Sequence, residues 1–108
     1  MDEVFKALAD PLRRRLLDRL HARNGQTLNE LCARLDISRQ AISKHLAILE
    51  AAELVVTQRR GREKLHYLNA APIQAIYDRW MRKYEADRAR ALNDLRERLE
   101  NDREKTND

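Results

Sequence analysis

The stretch TLNELCARLDISRQAISKHLAILE, residues 27–50, decides how this chain folds. It carries two apolar stripes of helical spacing. In the first, Leu28, Leu31, Cys32 and Leu35 stand at i, i+3, i+4 and i+7, which puts them on one helix face. Thr27 and Glu30 have the spacing of a capping box: the Thr oxygen can accept from the Glu30 amide while the Glu30 side chain reaches back to the start of the helix. In the second, Ser38 is a residue type that caps helices, and Ala41, Ile42, Leu46 and Leu49 follow on one buried face to about Ala52. Asp36 and Ile37 leave room only for a tight turn. Two helices, Thr27–Leu35 and Ser38–Ala52, joined in this way match helix-turn-helix geometry, in which the N-terminal turns of the second helix meet base edges in the major groove.

The residue types suit that task. Ser38, Arg39, Gln40, Ser43 and Lys44 occupy the first two turns and face away from Ile42, Leu46 and Leu49. Arginine bonds guanine bidentately, glutamine bonds adenine, and serine serves a base or a phosphate. No acid stands between Ser38 and Leu49, although the chain has 18 acidic residues. His45 lies at the edge of this helix and either packs on the core or touches a phosphate.

Upstream, Val4, Phe5 and Leu8 share one face of a short first helix. Asp10 followed by Pro11 opens a second helix, Pro11–Ala22, with Leu12, Leu16, Leu17 and Leu20 inward. Asn24 and Gly25, both tolerant of left-handed backbone, end it. Downstream the period changes. Leu54–Arg59 and Leu65–Leu68 read as two strands of a hairpin that turns at Arg60-Gly61. Arg59, Arg60, Arg62 and Lys64 cluster at its tip against the single acid Glu63, a composition suited to phosphates or an adjacent minor groove. A final helix spans about residues 71–100, with Tyr77, Trp80, Tyr84, Leu92, Leu95 and Leu99 spaced mostly three or four apart. Its apolar stripe weakens over Glu85–Arg90, where a bend or a change of packing partner is expected. Residues 101–108 are polar and expected to fray.

The order helix–turn–helix–hairpin, with segments such as FKALADPLRRRLL (residues 5–17) and SRQAISKHLAIL (residues 38–49), resembles the ArsR type of winged-helix transcriptional repressor over residues 4–70. The aromatic-rich start of the final helix is similar to that family's metal-independent branch. The resemblance implies a homodimer that binds a palindromic operator and represses transcription, commonly of its own operon. It assigns base reading to Arg39, Gln40, Ser43 and Lys44, and wing contacts to Arg60 and Arg62.

The expected fold is therefore mainly α with a small hairpin, in the order α-α-α-α-β-β-α, as one domain over residues 1–100. Dimerisation through the first and last helices is expected, with Val4, Phe5, Leu8, Tyr77, Trp80, Tyr84, Leu92, Leu95 and Leu99 at the interface. The stripe Tyr77–Leu99 is too long for a small core to cover.

Length and composition agree. A chain of 108 residues suits one modest core, and two Gly and two Pro suit a helical chain. A pI of about 9.6 favours an anionic partner. Cys32, the sole cysteine, precludes an intrachain disulfide; the resemblance implies that a metal-binding relative would carry paired cysteines on this helix, but Arg34 stands where the second thiolate would be, and Cys32 is expected in the core. His21, His45 and His66 fall on three elements without ligand spacing, and the final helix has no histidine. No metal, cofactor or small-molecule ligand is expected, with His21 and His66 read as surface or boundary residues. Nothing resembles a phosphate loop, a nucleophile with its base, or a paired-acid cleft, so an enzyme is not expected. The N-terminus lacks signal-peptide character and no apolar run approaches a membrane span, so a cytoplasmic protein is expected. The rival reading is a winged-helix module whose polar Ser38–Lys44 face contacts protein rather than duplex DNA.

Overall fold

The computed structural model describes residues 1–106; Asn107 and Asp108 lie outside the described residues. The chain forms α1 (Asp2–Leu8), α2 (Pro11–Ala22), α3 (Leu28–Cys32), α4 (Arg39–Ala51), β1 (Val55–Arg60), β2 (Glu63–Leu68) and α5 (Ala71–Ile76). A π-helical turn over Tyr77–Met81 and α6 (Arg82–Thr106) follow. This is the expected winged helix-turn-helix order. The described residues fall into two compact units, Met1–Ile73 and the chain from Gln74 onward.

The first unit is built on apolar faces of α2, α3 and α4. Leu16, Leu20, Leu31, Ile42, Leu49 and Leu54 are all fully buried, and each such side chain contributes roughly 1.5–3 kcal/mol relative to exposure. Leu12 and Ala41 are half-buried at the margin of this core. Val4, expected at an interface between subunits, is instead buried inside this unit, and Leu8 is half-buried; Phe5 is exposed.

Caps explain where these helices begin. The Asp10 carboxylate accepts from the amides of Leu12 (2.8 Å) and Arg13 (3.1 Å), with Pro11 at the first helical position. The Arg13 amide is the main influence holding that carboxyl below its usual range; partial desolvation opposes it and the Leu12 amide adds to it. The capping box is present, the Thr27 hydroxyl accepting from the Glu30 amide (3.2 Å) and the Glu30 carboxylate from the Thr27 amide (3.2 Å). Ser38 Oγ accepts from the Ala41 amide at 3.1 Å.

Helix α3 is shorter than its apolar stripe implies. It stops at Cys32 rather than Leu35, because Ala33 turns extended (ψ 131°) and Arg34 is left-handed (φ 65°). The Arg19 guanidinium donates to the carbonyls of Leu31 (2.9 Å) and Ala33 (2.7 Å), supplying donors that a further helical turn would otherwise provide. Cys32 and Leu35 are half-buried, so the expected core position of Cys32 is only partly realised.

The hairpin pairs Val55 with Leu68 through Arg60 with Glu63. Its two loop residues are therefore Gly61 and Arg62, one position later than expected. Gly61 has φ +64°, and a two-residue hairpin needs positive φ at that first loop position. A third segment joins the edge. The Gln26 carbonyl accepts from the His66 amide (2.8 Å) and from His66 Nδ1 (2.9 Å), while the Gly25 amide donates to the His66 carbonyl (2.9 Å). His66 is consequently buried, not the surface or boundary residue its sequence context implied. Asn24 Oδ1 accepts from the Leu68 amide, so Asn24 and Gly25 anchor the wing as well as following the end of α2.

In the second unit, the irregularity falls at Tyr77–Met81, not at Glu85–Arg90, which is regular α-helix. The Tyr77 hydroxyl donates to the Glu85 carboxylate across this π turn, and that bond raises the Tyr77 pKa above its usual value. The weaker stripe of Ala86 and Ala89 does not break a helix, since alanine is a strong helix former. The helix continues through Thr106, taking in residues 101–106 of the segment expected to fray. Trp80, Tyr84, Leu92, Leu95 and Leu99 are exposed. Among the described residues no helix is long and apolar enough to cross a membrane.

Candidate nucleic-acid interface

Helix α4 carries the candidate readers. Its buried face is Ile42, Leu46 and Leu49, so the intervening positions of its first two turns point outward. Arg39, Gln40, Ser43 and Lys44 are all exposed, and among the described residues none of their side chains makes a hydrogen bond or ion pair. Ser38 is exposed too, but its oxygen already caps the helix. Its remaining capacity is the hydroxyl proton.

His45 is placed differently. It is half-buried, and its Nδ1 lies 3.1 Å from Nη1 of Arg13 on α2. Of the two readings open for it, packing against the protein is the one the geometry favours.

At the wing, Arg59 and Arg60 close β1 and Arg62 sits in the loop; all three are exposed. None of them has a side-chain ion pair among the described residues. Lys64 differs. It stands opposite Arg59 in the register, a like-charge pairing that is unfavourable alone. Its ammonium is held 3.1 Å from Glu50 Oε1 at the far end of α4. Glu50 thus offsets the repulsion and ties the wing to the helix. Arg60 faces Glu63 across the strands.

Helix and wing enclose an open cleft of about 350 Å³. Arg39, Ser43 and Glu50 line one wall, and Arg62, Glu63 and Lys64 the other. Leu46, His66 and the start of α3, including Asn29, also line it. The Arg39 and Arg62 guanidinium groups on its two sides can donate to phosphate oxygens, with the Glu50 and Glu63 carboxylates in the same lining.

Comparison with known proteins bears on this geometry. A helix-turn-helix domain model matches residues 8–58. The HTH-type transcriptional regulator YuzN of Bacillus subtilis is 43% identical over 86 residues, covering 74% of this chain and 94% of that protein. The transcriptional repressor SdpR of the same organism is 37% identical, covering 75% and 88% respectively. The ArsR-like transcriptional regulator from Rhodococcus sp. RHA1 superposes with a TM-score of 0.70 at 34% identity, over 92% of this chain and 89% of that one. The chain belongs to the ArsR family.

As an ArsR-family winged helix-turn-helix protein it is a DNA-binding transcriptional regulator. The Ser38–Leu49 segment, the most specific part of the resemblance over residues 4–70, forms a helix capped by Ser38 with its polar face exposed. Sequence reasoning missed Glu50, Asn29 and the Arg13–His45 contact. Glu50 and Lys64 are 14 positions apart on different elements, and no spacing rule links them. Asn29 gave a weak signal as a polar residue beside the α3 cap. Among the described residues no three His, Cys, Asp or Glu side chains stand together in a metal-holding group.

Proposed function

We propose that this ArsR-family protein acts as a homodimer that represses transcription by occupying a palindromic operator, including one upstream of its own gene. Each subunit lays the start of α4 in a major groove, with Arg39, Gln40, Ser43 and Lys44 at base edges and flanking phosphates. The wing residues Arg59, Arg60 and Arg62 hold the neighbouring backbone or minor groove, and Lys64 supports them from its pair with Glu50. The observation that carries this reading is the set of four polar side chains on α4 that are exposed and unbonded within the protein. Internal contacts leave those donors and acceptors available to a ligand.

Dimerisation is supported by the exposed Tyr84, Leu92, Leu95 and Leu99 on α6, preceded by exposed Tyr77 and Trp80 in the π turn; Phe5 on α1 is exposed as well. An apolar stripe of that extent is a mark of an interaction surface. Two-fold symmetry then requires half-sites about 34–36 Å apart, or a multiple of that spacing. Repression is supported by the likeness to SdpR. The reading includes no catalysis, cofactor, metal or small-molecule ligand, and places the protein with the DNA in the cytoplasm.

Footprinting on the region upstream of its own gene tests it. A protected palindrome overlapping the promoter is the expected result. Equal binding to that duplex and to random duplex, with a monomer in sedimentation at micromolar concentration, would overturn it and leave a winged-helix protein-interaction module.

A further inference from the structure

Arg13 lies outside the cleft, on α2, yet it is among the most fully engaged side chains in the protein. Its Nε donates to the Ala7 carbonyl (2.7 Å) and its Nη2 to the Lys6 carbonyl (2.9 Å), both in the last turns of α1. Its Nη1 meets His45 Nδ1 at 3.1 Å. Its amide is bonded to the Asp10 carboxylate, so the residue is held at both ends. A guanidinium has five donors and no acceptor. His45 Nδ1 must therefore accept, and the imidazole proton lies on Nε2.

The location of His45 gives this bond a consequence for α4. At about 100° per residue, His45 lies about 200° round the helix from Ser43, on the flank away from the candidate readers. The buried face of α4 is the aliphatic set Ile42, Leu46 and Leu49. Such a face holds the helix down by close packing but supplies no directional bond. The planar fork of Arg13 is directional. A roll of about 20° at a side-chain radius of about 6 Å would move a reader head by roughly 2 Å. That exceeds the roughly 0.5 Å tolerance of a binding constellation.

We propose that Arg13 is a positioning residue for DNA readout: through His45 it sets the rotation of α4, and so the direction of Arg39, Gln40, Ser43 and Lys44. The proposal rests on α4 being the reading helix. Arg13 itself touches no DNA. The link acts on base reading and leaves the charge that attracts phosphates unchanged. Its loss therefore lowers the preference for specific over random duplex, while binding to random duplex, which is carried by charge, persists.

The test is a double-mutant cycle with Arg13→Met and His45→Phe. His45→Phe keeps a ring of similar size and leaves the α1 contacts of Arg13 in place, removing only the acceptor. Affinities are measured by fluorescence anisotropy for the duplex protected in the footprint and for a random duplex of equal length. Each single variant should lower the specific-to-random ratio by about tenfold, the equivalent of a bond worth about 1.4 kcal/mol. The double variant should lose little more than either single one. The nitrogen shifts of His45 in the DNA-free, unaltered protein should show the proton on Nε2. Arg13→Met should abolish that tautomer preference.

A proton on Nδ1, a His45→Phe protein with an unchanged ratio, or fully additive losses would each overturn the proposal. If Arg13→Met fails to fold, His45→Phe and the tautomer measurement decide the matter alone. Failure of operator reading itself shows in the unaltered protein, as equal binding to both duplexes. In that case the positioning role falls with it, even if the tautomer is as expected.

Discussion

Replacing Arg62 by alanine separates phosphate anchoring from base reading. Arg62 occupies the loop of the hairpin, is exposed, and has no ion-pair partner among the described residues. Its cation is therefore available in full to a phosphate. Each neutralised phosphate contributes about 0.9 to the slope of log affinity against log salt. A dimer presents two such arginines, so the slope should flatten by about 1.8 in Arg62→Ala. Between about 50 and 200 mM salt, a fourfold change raised to that power is a factor of about twelve. The unaltered protein should therefore lose roughly twelvefold more affinity over that range than the variant. The loss at fixed salt should be nearly equal for specific and random duplexes, because a phosphate contact carries no sequence information. Lys64→Ala should flatten the slope less, since Glu50 at 3.1 Å already neutralises much of that charge. Anisotropy titrations at four or five salt concentrations measure both slopes. An Arg62→Ala protein that keeps its slope but relaxes its sequence preference would refute the assignment, and the wing would then be reading bases.

Other perturbations bear on fold and assembly. Gly25→Ala places a Cβ 3.3 Å from the Tyr67 hydroxyl on a backbone with φ +80°, and a left-handed non-glycine residue costs about 1–2 kcal/mol; urea unfolding should show at least that loss, and an unchanged midpoint would contradict the described loop. Arg19→Met leaves the Leu31 and Ala33 carbonyls without their donor and should destabilise the protein by about 1–3 kcal/mol without altering the salt slope of DNA binding. The lowered pKa of Asp10 means that its carboxylate contributes stability in full above its unfolded value near 3.8 and loses it as pH falls through the lower folded value; the stability gap between the unaltered protein and Asp10→Asn should narrow over that acid range, and a gap independent of pH would exclude a role for the charge. Leu95→Lys on the exposed stripe of α6 should shift the protein to monomer in sedimentation and weaken operator binding together; a persistent dimer would place the interface elsewhere.

Periodic and capped elements were legible from residue order. Helix α2 runs over the expected Pro11–Ala22, and α4 begins at the expected Ser38 cap, because cap chemistry and apolar period agree at both. Features set by long-range partners were not legible. The apolar stripe of α3 extends to Leu35, but a guanidinium from α2 takes the carbonyls that would have continued the helix. His66 carries the polarity of a surface residue, yet its ring nitrogen finds the Gln26 carbonyl 40 positions away. The candidate site divides in the same way. Outward-facing readers on α4 follow from periodicity alone, since the buried face dictates the exposed one. That Lys64 is already paired and His45 is turned to Arg13 depends on where other elements pack. The π turn is invisible to residue order, because Tyr77 and Glu85 are eight apart, a spacing without meaning in a regular α-helix.

The arginines show why composition alone misjudges this protein. Helices α1 and α3 are very short, with seven and five residues, below the length at which a helix sustains itself in water. Their carbonyl ends need donors from outside the backbone. Arg13 and Arg14 supply them to α1 through the carbonyls of Lys6, Ala7 and Leu8, and Arg19 supplies them to α3. A guanidinium suits the work because one planar group can serve two carbonyls from a fixed position. These cations count toward the basic pI as fully as Arg39 or Arg62 do, yet they are directed inward at dipole ends. The cations available to DNA are therefore fewer than the composition suggests, and the proposed interface draws on those at the start of α4 and the tip of the wing. Net charge brings such a protein toward nucleic acid, and only guanidinium groups left unbonded within the protein have all their donors for a phosphate there.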